Sequence, residues 1–420
     1  DDVDMYNYPL VAGDGTVACL VRMTRPHVVV FDPAQGSKQV VGPVTTKGKE
    51  TIDLQKGQDG KLYIRSSVGN FRIDGTKATP VDTIPGGLPG ATLPGGATFR
   101  FTDAAEQTCR KLEIRSRDGK VQRFQLDYEA AGSGIFCLHA GPEGCLYGSS
   151  ILPEHLFRYD PKTGTLDDLG RCSRSAGEAY SMATLAGKIY ISSYPSARLS
   201  AYDPAKPYHF GTGAGDNPRD LGPIDEISYR PRSTLAGPLG RVWLASVPDY
   251  GRWGGPLSYY DPATGKKHAY YRIAGDGSCF ALAHLADERL IAVGTSISGG
   301  SGTRPKVDQA VLFLWDYGAE KKAWEGTPDR PVSTFNALVA GPDGRLYGTS
   351  VGGKKPELFV FDPKTRTFVR RLALPAGSPL DLGLENGPDG MIYGFTSGCV
   401  YRLDPAKLVI EEVLRAPGGI

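Results

Sequence analysis

Short segments with the two-residue period of β-strands recur along the whole chain and are separated by turn residues. Residues 61–65 (KLYIR) and 188–192 (KIYIS) are typical, since they carry apolar and polar side chains in the order expected of half-buried strands. No stretch has the 3.6-residue period of an amphipathic helix. The pattern therefore predicts an all-β protein.

One sequence motif repeats along the chain. It consists of a strand, a turn of the form GPDG, a second strand, and then an aromatic or Leu residue followed by Asp-Pro. The first turn begins at Ala12, Gly57, Gly141, Gly237, Gly341 and Gly387. The second begins at Phe31, Tyr159, Tyr202, Tyr260, Phe361 and Leu403. Proline presets φ, aspartate bonds the backbone two residues on, and glycine supplies positive φ, so each GPDG predicts a tight hairpin.

The repeats predict the architecture. Nine units begin near Tyr6, Thr51, Gly90, Gly134, Glu178, Tyr229, Phe280, Thr334 and Leu380. The third unit lacks the GPDG turn but keeps three strand-like stretches, at 97–102, 111–115 and 121–128. A four-stranded antiparallel unit repeated in this way is the signature of a β-propeller. We expect one closed domain over residues 1–420, with eight or nine blades.

The net charge and the hydropathy of the chain limit the classes of partner that it can bind. The chain has 48 Lys and Arg against 46 Asp and Glu, a net charge of +2, so no global field attracts nucleic acid. No run approaches the roughly 18 apolar residues of a membrane span. The first residues, DDVDMYNYPL, do not start with Met and show neither the basic region nor the apolar region typical of a leader peptide. We expect a secreted or periplasmic monomer with its leader removed, in preference to a trimmed chain.

Neither the cysteines nor the turn aspartates predict a metal site. The seven cysteines are scattered and have no CxxC spacing, which predicts mainly buried free thiols and leaves one disulfide open. The turn aspartates lack the alternating ligands and following bidentate Glu of a calcium loop. The sequence requires no cofactor and leaves open a divalent ion in the channel.

The longest and least regular loops lie at the end opposite the GPDG turns, so function is expected there. These loops span residues 149–155, 192–198, 246–255, 294–309 and 348–357. With the neighbouring strand starts, they supply the candidate substrate-binding residues Tyr180, Arg198, Arg232, Arg252, Trp253 and Asn336. Aromatic faces stack on sugar rings and Arg binds carboxylates, so the group predicts a bowl for an acidic oligosaccharide or polysaccharide. The alternative is that these are ordinary surface residues and that Trp253 packs on a neighbouring loop.

Two of the six histidines are placed to act in such a bowl. His139 lies on an inner strand, whose side chains can face the channel, and His155 ends an irregular loop beside Glu154. Each is equally explained as a structural residue held by hydrogen bonds. We retain both as candidate catalytic residues.

The phrases GPDGRLYG at 341–348 and FDPKT at 361–365 resemble two groups of secreted propellers. One is the streptogramin lyase and sugar-lactone lactonase group, and the other contains propeller polysaccharide lyases that act on uronic-acid saccharides. The resemblance spans nearly the whole chain but rests on turn motifs, so it implies the fold and carries no catalytic residue. The metal-binding carboxylates expected of a lactonase are not recognisable at any spacing.

The lyase resemblance implies β-elimination, in which a cation neutralises the uronate carboxylate, a base removes the neighbouring proton and an acid protonates the leaving oxygen. Candidates for these roles can be named from loop position and residue type. The cations are Arg230, Arg232 and Arg252, the base is His155 or His139, and the acid is Tyr194 or Tyr250.

Two other classes of function stay open. A glycoside hydrolase acting on an acidic saccharide would use a pair of carboxylates among Asp249, Asp308, Glu357 and Asp381. A propeller without catalytic activity would bind a glycan or a protein in the same bowl.

Overall fold

The chain consists of β-strands and short turns throughout the residues that the structure describes. A computed structural model describes residues 4–23, 26–43, 52–57, 59–85, 93, 95–102, 111–126, 133–175, 177–353 and 355–415. Two compact units divide the chain, unit 1 over residues 1–130 and unit 2 over residues 131–420. Within the described ranges, no helix is long and apolar enough to cross a membrane.

Unit 1 contains three antiparallel sheets, each built from strands that follow one another in the chain. The first sheet comprises β1 (Asp4–Val11), β2 (Val17–Met23), β3 (His27–Asp32) and β4 (Ser37–Val41). The second comprises β5 (Ile52–Lys56), β6 (Leu62–Ser66), β7 (Gly69–Asp74) and β8 (Lys77–Val81). The third comprises β9 (Thr98–Phe101), β10 (Lys111–Arg115) and β11 (Val121–Gln125).

Unit 2 contains six four-stranded sheets of the same design, here called sheets A to F in chain order. Sheet A comprises β12 (Ser133–Ala140), β13 (Leu146–Ile151), β14 (His155–Asp160) and β15 (Thr165–Arg171). Sheet B comprises β16 (Glu178–Leu185), β17 (Lys188–Tyr194), β18 (Arg198–Tyr202) and β19 (Arg219–Pro223). Sheet C comprises β20 (Ser228–Ala236), β21 (Val242–Pro248), β22 (Leu257–Tyr260) and β23 (Lys267–Tyr270).

The remaining three sheets complete unit 2. Sheet D comprises β24 (Ser278–Leu285), β25 (Leu290–Ser296), β26 (Leu312–Asp316) and β27 (Lys321–Gly326). Sheet E comprises β28 (Thr334–Ala340), β29 (Leu346–Val351), β30 (Glu357–Asp362) and β31 (Thr367–Ala373). Sheet F comprises β32 (Pro379–Asn386), β33 (Ile392–Thr396), β34 (Cys399–Asp404) and β35 (Val409–Arg415). One extra pair, Ser296 with Thr334, joins sheets D and E.

The turn chemistry expected from the sequence is present. In the GPDG turn of sheet E, Asp343 Oδ1 accepts a hydrogen bond from the Arg345 backbone at 3.1 Å, and Gly344 has φ of 78°. Tyr347 then donates its hydroxyl to Asp343 Oδ2 at 2.8 Å. The pairs Tyr63–Asp59 and Tyr393–Asp389 repeat this contact at 2.6 and 2.9 Å. In these three turns the aspartate therefore holds both its hairpin and the strand that follows.

The hydrophobic core of unit 2 lies between neighbouring sheets. Trp243 and Tyr259 of sheet C are fully buried against Phe313 and Trp315 of sheet D. Sheets D and E are packed closely enough that Gly294 has no room for a side chain, because a Cβ there would lie 2.5 Å from Phe335 Cβ. Sheets that bury both faces against their neighbours are the packing of propeller blades.

The structure confirms the predicted fold class. Eight four-stranded sheets and one three-stranded sheet follow each other in the described residues, which fits eight or nine propeller blades. The three-stranded sheet is the third unit of the sequence, where only three strand-like stretches were expected. One domain over residues 1–420 stays a prediction.

Gly294→Ala tests the packing between sheets D and E. The added methyl must displace Phe335, so we expect the free energy of unfolding to fall by about 1–3 kcal/mol. Gly215→Ala is the matched control, because Gly215 is exposed and has no neighbour within 4 Å of its Cβ position. Chemical denaturation of both variants measures the difference, and equal stabilities would contradict the packing described here.

Candidate functional site

The first strand of every sheet in unit 2 carries an irregularity in its pairing with the second strand. In each of these inner strands the register shifts, leaving one or more residues without a direct partner. The residues at these shifts include Phe136, Tyr180, Tyr229, Arg232, Phe280, Asn336 and Asp381. A bulge re-aims the side chain of its extra residue, and bulges are frequent beside active sites. The bulged side chains form part of the candidate site.

An aromatic row crosses sheets A to C. It consists of Phe136, Tyr180, Tyr194, Tyr229 and Tyr250, with successive ring centroids 4.8, 5.9, 5.3 and 4.8 Å apart. These separations and the tilted or edge-on angles are those of favourable aromatic pairs. The row is partly exposed, so it forms a continuous aromatic wall.

Two phenols of this row meet directly. Tyr194 Oη and Tyr250 Oη lie 2.6 Å apart in a hydrogen bond. Arg230 lies over both rings, with its guanidinium carbon 4.8 Å from the Tyr194 centroid and 5.2 Å from the Tyr250 centroid. Its Nη2 donates to Tyr250 Oη at 3.3 Å, and its Nη1 donates to Ser301 Oγ at 2.7 Å. The guanidinium is thus fixed against the two phenols.

The electrostatic setting of Arg230 keeps it charged. Burial disfavours the cation, but the electron-rich phenols of Tyr250, Tyr180 and Tyr194 outweigh that effect, and the pKa of Arg230 is raised. Among the described residues, no carboxylate lies within ion-pair distance of it. A half-buried cation without a carboxylate favours an anionic ligand.

Arg232 is held differently. Its guanidinium carbon lies 5.0 Å from both the Tyr180 and Phe280 centroids. Its Nη1 contacts Asp381 Oδ2 at 3.2 Å, and Asn336 Nδ2 donates to Asp381 Oδ1 at 2.8 Å. Sheets C and F are separated by two sheets in sequence, so this contact shows that the inner strands of unit 2 curve towards each other.

A cavity of about 410 Å³ opens between these groups. We call it the arginine pocket, and its lining residues are Arg230, Arg232, Val247, Phe280, Ser296, Ser298, Gly299, Gly300, Ser301, Thr303, Pro305, Thr334, Asn336 and Asp381. Two cations, one carboxylate and five hydroxyl groups face a space that suits a sugar-sized, anionic ligand. Four residues named from the sequence, Arg230, Arg232, Asn336 and Asp381, line this pocket. Tyr180, Tyr194 and Tyr250 contact its arginines.

The two candidate histidines are engaged outside this pocket. His155 is buried, and its Nδ1 lies 3.0 Å from Asp168 Oδ2 on the neighbouring strand β15. His139 Nε2 is hydrogen-bonded to Thr184 Oγ1 at 2.8 Å, and burial lowers its pKa. Both rings have the partners expected of structural histidines, and their catalytic roles stay predictions.

Three further candidates lie in well-defined contacts. Arg198 forms an ion pair with the buried Asp220 at 2.9 Å. Trp253 donates its indole N–H to the Arg304 carbonyl at 2.8 Å, and the partly exposed Arg252 accepts from the Gly300 backbone at 2.8 Å. The loop that carries Arg252 and Trp253 therefore supports the pocket wall at residues 299–305, and direct substrate contact by these residues stays a prediction.

Glu178 was not chosen from the sequence, although its position beside Tyr194 is informative. It pairs directly with Tyr194 across strands β16 and β17, which places both side chains on one face. Burial raises the pKa of the Glu178 carboxyl, while the charges of Arg230 and Arg232 oppose this shift. The signal was available only through strand register, which the sequence does not specify.

Phe280 and Ser301 were also not selected as site residues. Ser301 is one of many small residues in the 294–309 loop. Its contact with Arg230 spans 71 residues of sequence, so the sequence alone does not single it out. In the described part of the chain, no three His, Cys, Asp or Glu residues form a group that would hold a metal ion. The chemistry of the pocket is therefore argued from its arginines, phenols and hydroxyl groups.

A buried carboxyl group supports the strand that ends at Tyr194. Glu154 is 3% exposed and accepts hydrogen bonds from Ser173 Oγ at 2.9 Å, from Cys172 Sγ at 3.4 Å and from Ser193 Oγ. Burial raises its pKa, and these three donors only partly offset the effect. Among the described residues, no cation pairs with it.

Glu154→Gln should reduce the pH dependence of stability. Because the folded-state pKa lies above the ordinary 4.5, stability is fully present below pH 4.5 and is lost as pH rises towards the folded-state pKa. The slope is at most about 1.4 kcal/mol per pH unit. Gln keeps an acceptor but does not titrate, so the variant should gain stability relative to the natural chain as pH rises. Denaturation profiles, with the exposed Glu143→Gln as control, check this, and parallel profiles would contradict it.

Comparisons with known proteins bear on the fold. No family model matches the chain, and no curated protein matches it either. Among solved structures, a streptogramin B lyase covers 87% of this chain and 93% of its own at 12% identity, with a TM-score of 0.48. The extracellular domain of a protein described as a one component system from B. thetaiotaomicron covers 96% of this chain and 60% of its own at 13% identity, with a TM-score of 0.39.

A third solved structure is more similar by TM-score. A chain of the Kuenenia stuttgartiensis hydrazine synthase gives a TM-score of 0.52 at 14% identity, over 66% of this chain and 78% of that one. At this identity the likeness concerns the fold alone. Together with the nine successive sheets, it supports the conclusion that the chain has a β-propeller fold.

Proposed function

We propose that this protein is a carbohydrate-active propeller that binds an acidic saccharide in the arginine pocket and cleaves it by β-elimination. The observation that carries the proposal is that Arg230, which lines a sugar-sized cavity, lies over two hydrogen-bonded phenols, Tyr194 and Tyr250. In this arrangement a cation that can bind the carboxylate of a ligand lies beside two phenols that can exchange a proton. An acidic polysaccharide is met outside the cell, so an exported location belongs to the same proposal.

Binding follows from the charge of the pocket. The carboxylate of a uronic acid residue pairs with Arg230, which has no carboxylate partner among the described residues. Hydrogen bonds from guanidinium to carboxylate are stronger in a half-buried site than in water. The aromatic row offers an apolar surface for the sugar ring beside this anchor.

The same arginine assists the chemical step. Neutralising the carboxylate makes the adjoining C5–H bond more acidic, because negative charge develops on the carboxylate as the proton leaves. Arg230 also donates to Tyr250 Oη, so a positively charged donor contacts the oxygen that we propose as the base. The C5–H electrons form the C4–C5 double bond, and the C4–O bond breaks.

The two phenols balance the protons. Tyr250 takes the C5 proton, and Tyr194 donates its own proton to the departing glycosidic oxygen. Tyr194 is then the phenolate, and a proton transfer from Tyr250 across the 2.6 Å hydrogen bond restores the starting state. The products are an unsaturated uronate and a new hydroxyl end, with no net change in the protein.

The contacts of other candidates favour this assignment over the alternatives. His155 and His139 are occupied by Asp168 and Thr184, so the proposal does not use them. Of the carboxylates considered for hydrolysis, Asp381 is paired with Arg232 and Glu357 with Arg330 at 2.9 Å. Neither is placed as a free acid for a glycosidic oxygen.

Tyr250→Phe is the direct test of the elimination. The variant keeps the ring in the aromatic row but removes the base, so kcat/KM should fall by about 10²–10⁴-fold. Activity is followed on a panel of uronic-acid oligosaccharides by the ultraviolet absorbance of the unsaturated product. Tyr271→Phe is the control, because Tyr271 is an exposed tyrosine that belongs neither to the pocket lining nor to the aromatic row. Absence of product across the panel, or full activity of Tyr250→Phe, would refute the lyase proposal.

A further inference from the structure

The two ends of the arginine pocket differ in charge. Arg230 has no carboxylate partner among the described residues, so its end is cationic. At the other end, Arg232 is paired with Asp381 at 3.2 Å, and Asn336 also donates to this carboxylate. The Asp381 end is therefore close to neutral. Glu178 interacts with the charges of both arginines, but Arg230 has no ion pair among the described residues, so its end has the stronger attraction for an anion.

Asp381 keeps acceptor capacity for a ligand. Its side chain is 41% exposed and lines the pocket. An ionised carboxylate has about four acceptor sites, and two donors of the protein occupy part of them. A hydroxyl group of a ligand can donate to the remaining sites, whereas a second carboxylate would be repelled by the like charge.

Asn336 and Arg232 provide an independent sign of a ligand. Asn336 is 8% exposed and lines the pocket, and among the described residues its Oδ1 has no hydrogen-bond partner. Arg232 Nε is also buried without a partner there. One unmet group is an acceptor and the other a donor, and a hydroxyl group can serve both, whereas a carboxylate only accepts.

We infer that the Asp381 end of the arginine pocket is a subsite for an uncharged, hydroxyl-bearing sugar residue next to the acidic residue held by Arg230. The inference rests on the proposed binding of an acidic saccharide at Arg230. The preferred ligand is then an oligosaccharide in which acidic and neutral residues adjoin, and a chain made only of uronic acids fits less well.

The test compares two trisaccharides of equal length. One contains a single uronic acid flanked by neutral hexoses, and the other consists of three uronic acids. Both are titrated calorimetrically into the full chain carrying Tyr250→Phe, which prevents turnover under the proposed mechanism. We expect the mixed trisaccharide to bind on the order of tenfold more tightly.

A substitution should reverse this preference. Asp381→Asn removes the charge that compensates Arg232, so affinity for the all-acid trisaccharide should rise and the mixed one should lose its advantage. Asp329→Asn is the matched control, because Asp329 also pairs with an arginine, Arg371, but lies outside the pocket. Thermal denaturation checks that both variants are folded. If Asp381→Asn does not fold, the comparison of the two trisaccharides in the chain carrying Tyr250→Phe alone still tests the subsite.

The outcomes separate this inference from the proposed function. Equal or tighter binding of the all-acid trisaccharide would overturn the subsite and leave the Arg230 site supported. Binding of neither trisaccharide would overturn both. Tighter binding of the mixed trisaccharide, lost in Asp381→Asn and kept in Asp329→Asn, would establish the subsite.

Discussion

The inner strand of each sheet in unit 2 has a ladder of hydrogen bonds on one edge only, and the candidate site depends on this constraint. In the part of the chain that the structure describes, β12, β16, β20 and β24 each pair only with the next strand, and β28 has a single further pair, through Thr334. An extra residue in such a strand disturbs one ladder, whereas in a central strand it would disturb two. The inner strands can therefore carry bulges, and the bulged residues Arg232, Phe280, Asn336 and Asp381 line the pocket together with the regularly paired Arg230.

The groups at the site hold one another in place. Arg230 is fixed by two rings and two hydrogen bonds, and Arg232 by two rings and the Asp381 carboxylate. Long arginine side chains lose much rotamer freedom when they bind a ligand, but here most of that freedom is already lost in the folded chain. The phenol pair and its cation are thus pre-organised for the arrangement that the proposed elimination would require.

Local chemistry explains why the fold was predictable from the sequence. Proline, aspartate and glycine determine a turn within four residues, so the turn at Asp343 and the incomplete third unit could both be predicted from the sequence. The types of residue in the irregular loops and at the strand starts suggested Arg230 and Tyr194 as site residues, and Arg230 lines the pocket while its guanidinium lies over the Tyr194 ring. Their roles stay predictions. Contacts between residues distant in sequence could not be predicted. The contact of Arg232 with Asp381, for example, joins sheets C and F and depends on how the inner strands curve. The engagement of a candidate histidine by a carboxylate on the adjoining strand likewise depends on register.

The repeated bulge also bears on how such a protein diverges. Each inner strand presents one or more irregular side chains, and these positions lie where ladder pairing is already interrupted. Exchange of the residue there leaves the neighbouring cores of Trp243 or Phe335 untouched. Selection can thus alter one contact with the ligand at a time while the scaffold stays intact, so descendants of one ancestral propeller can acquire different ligands through a few substitutions.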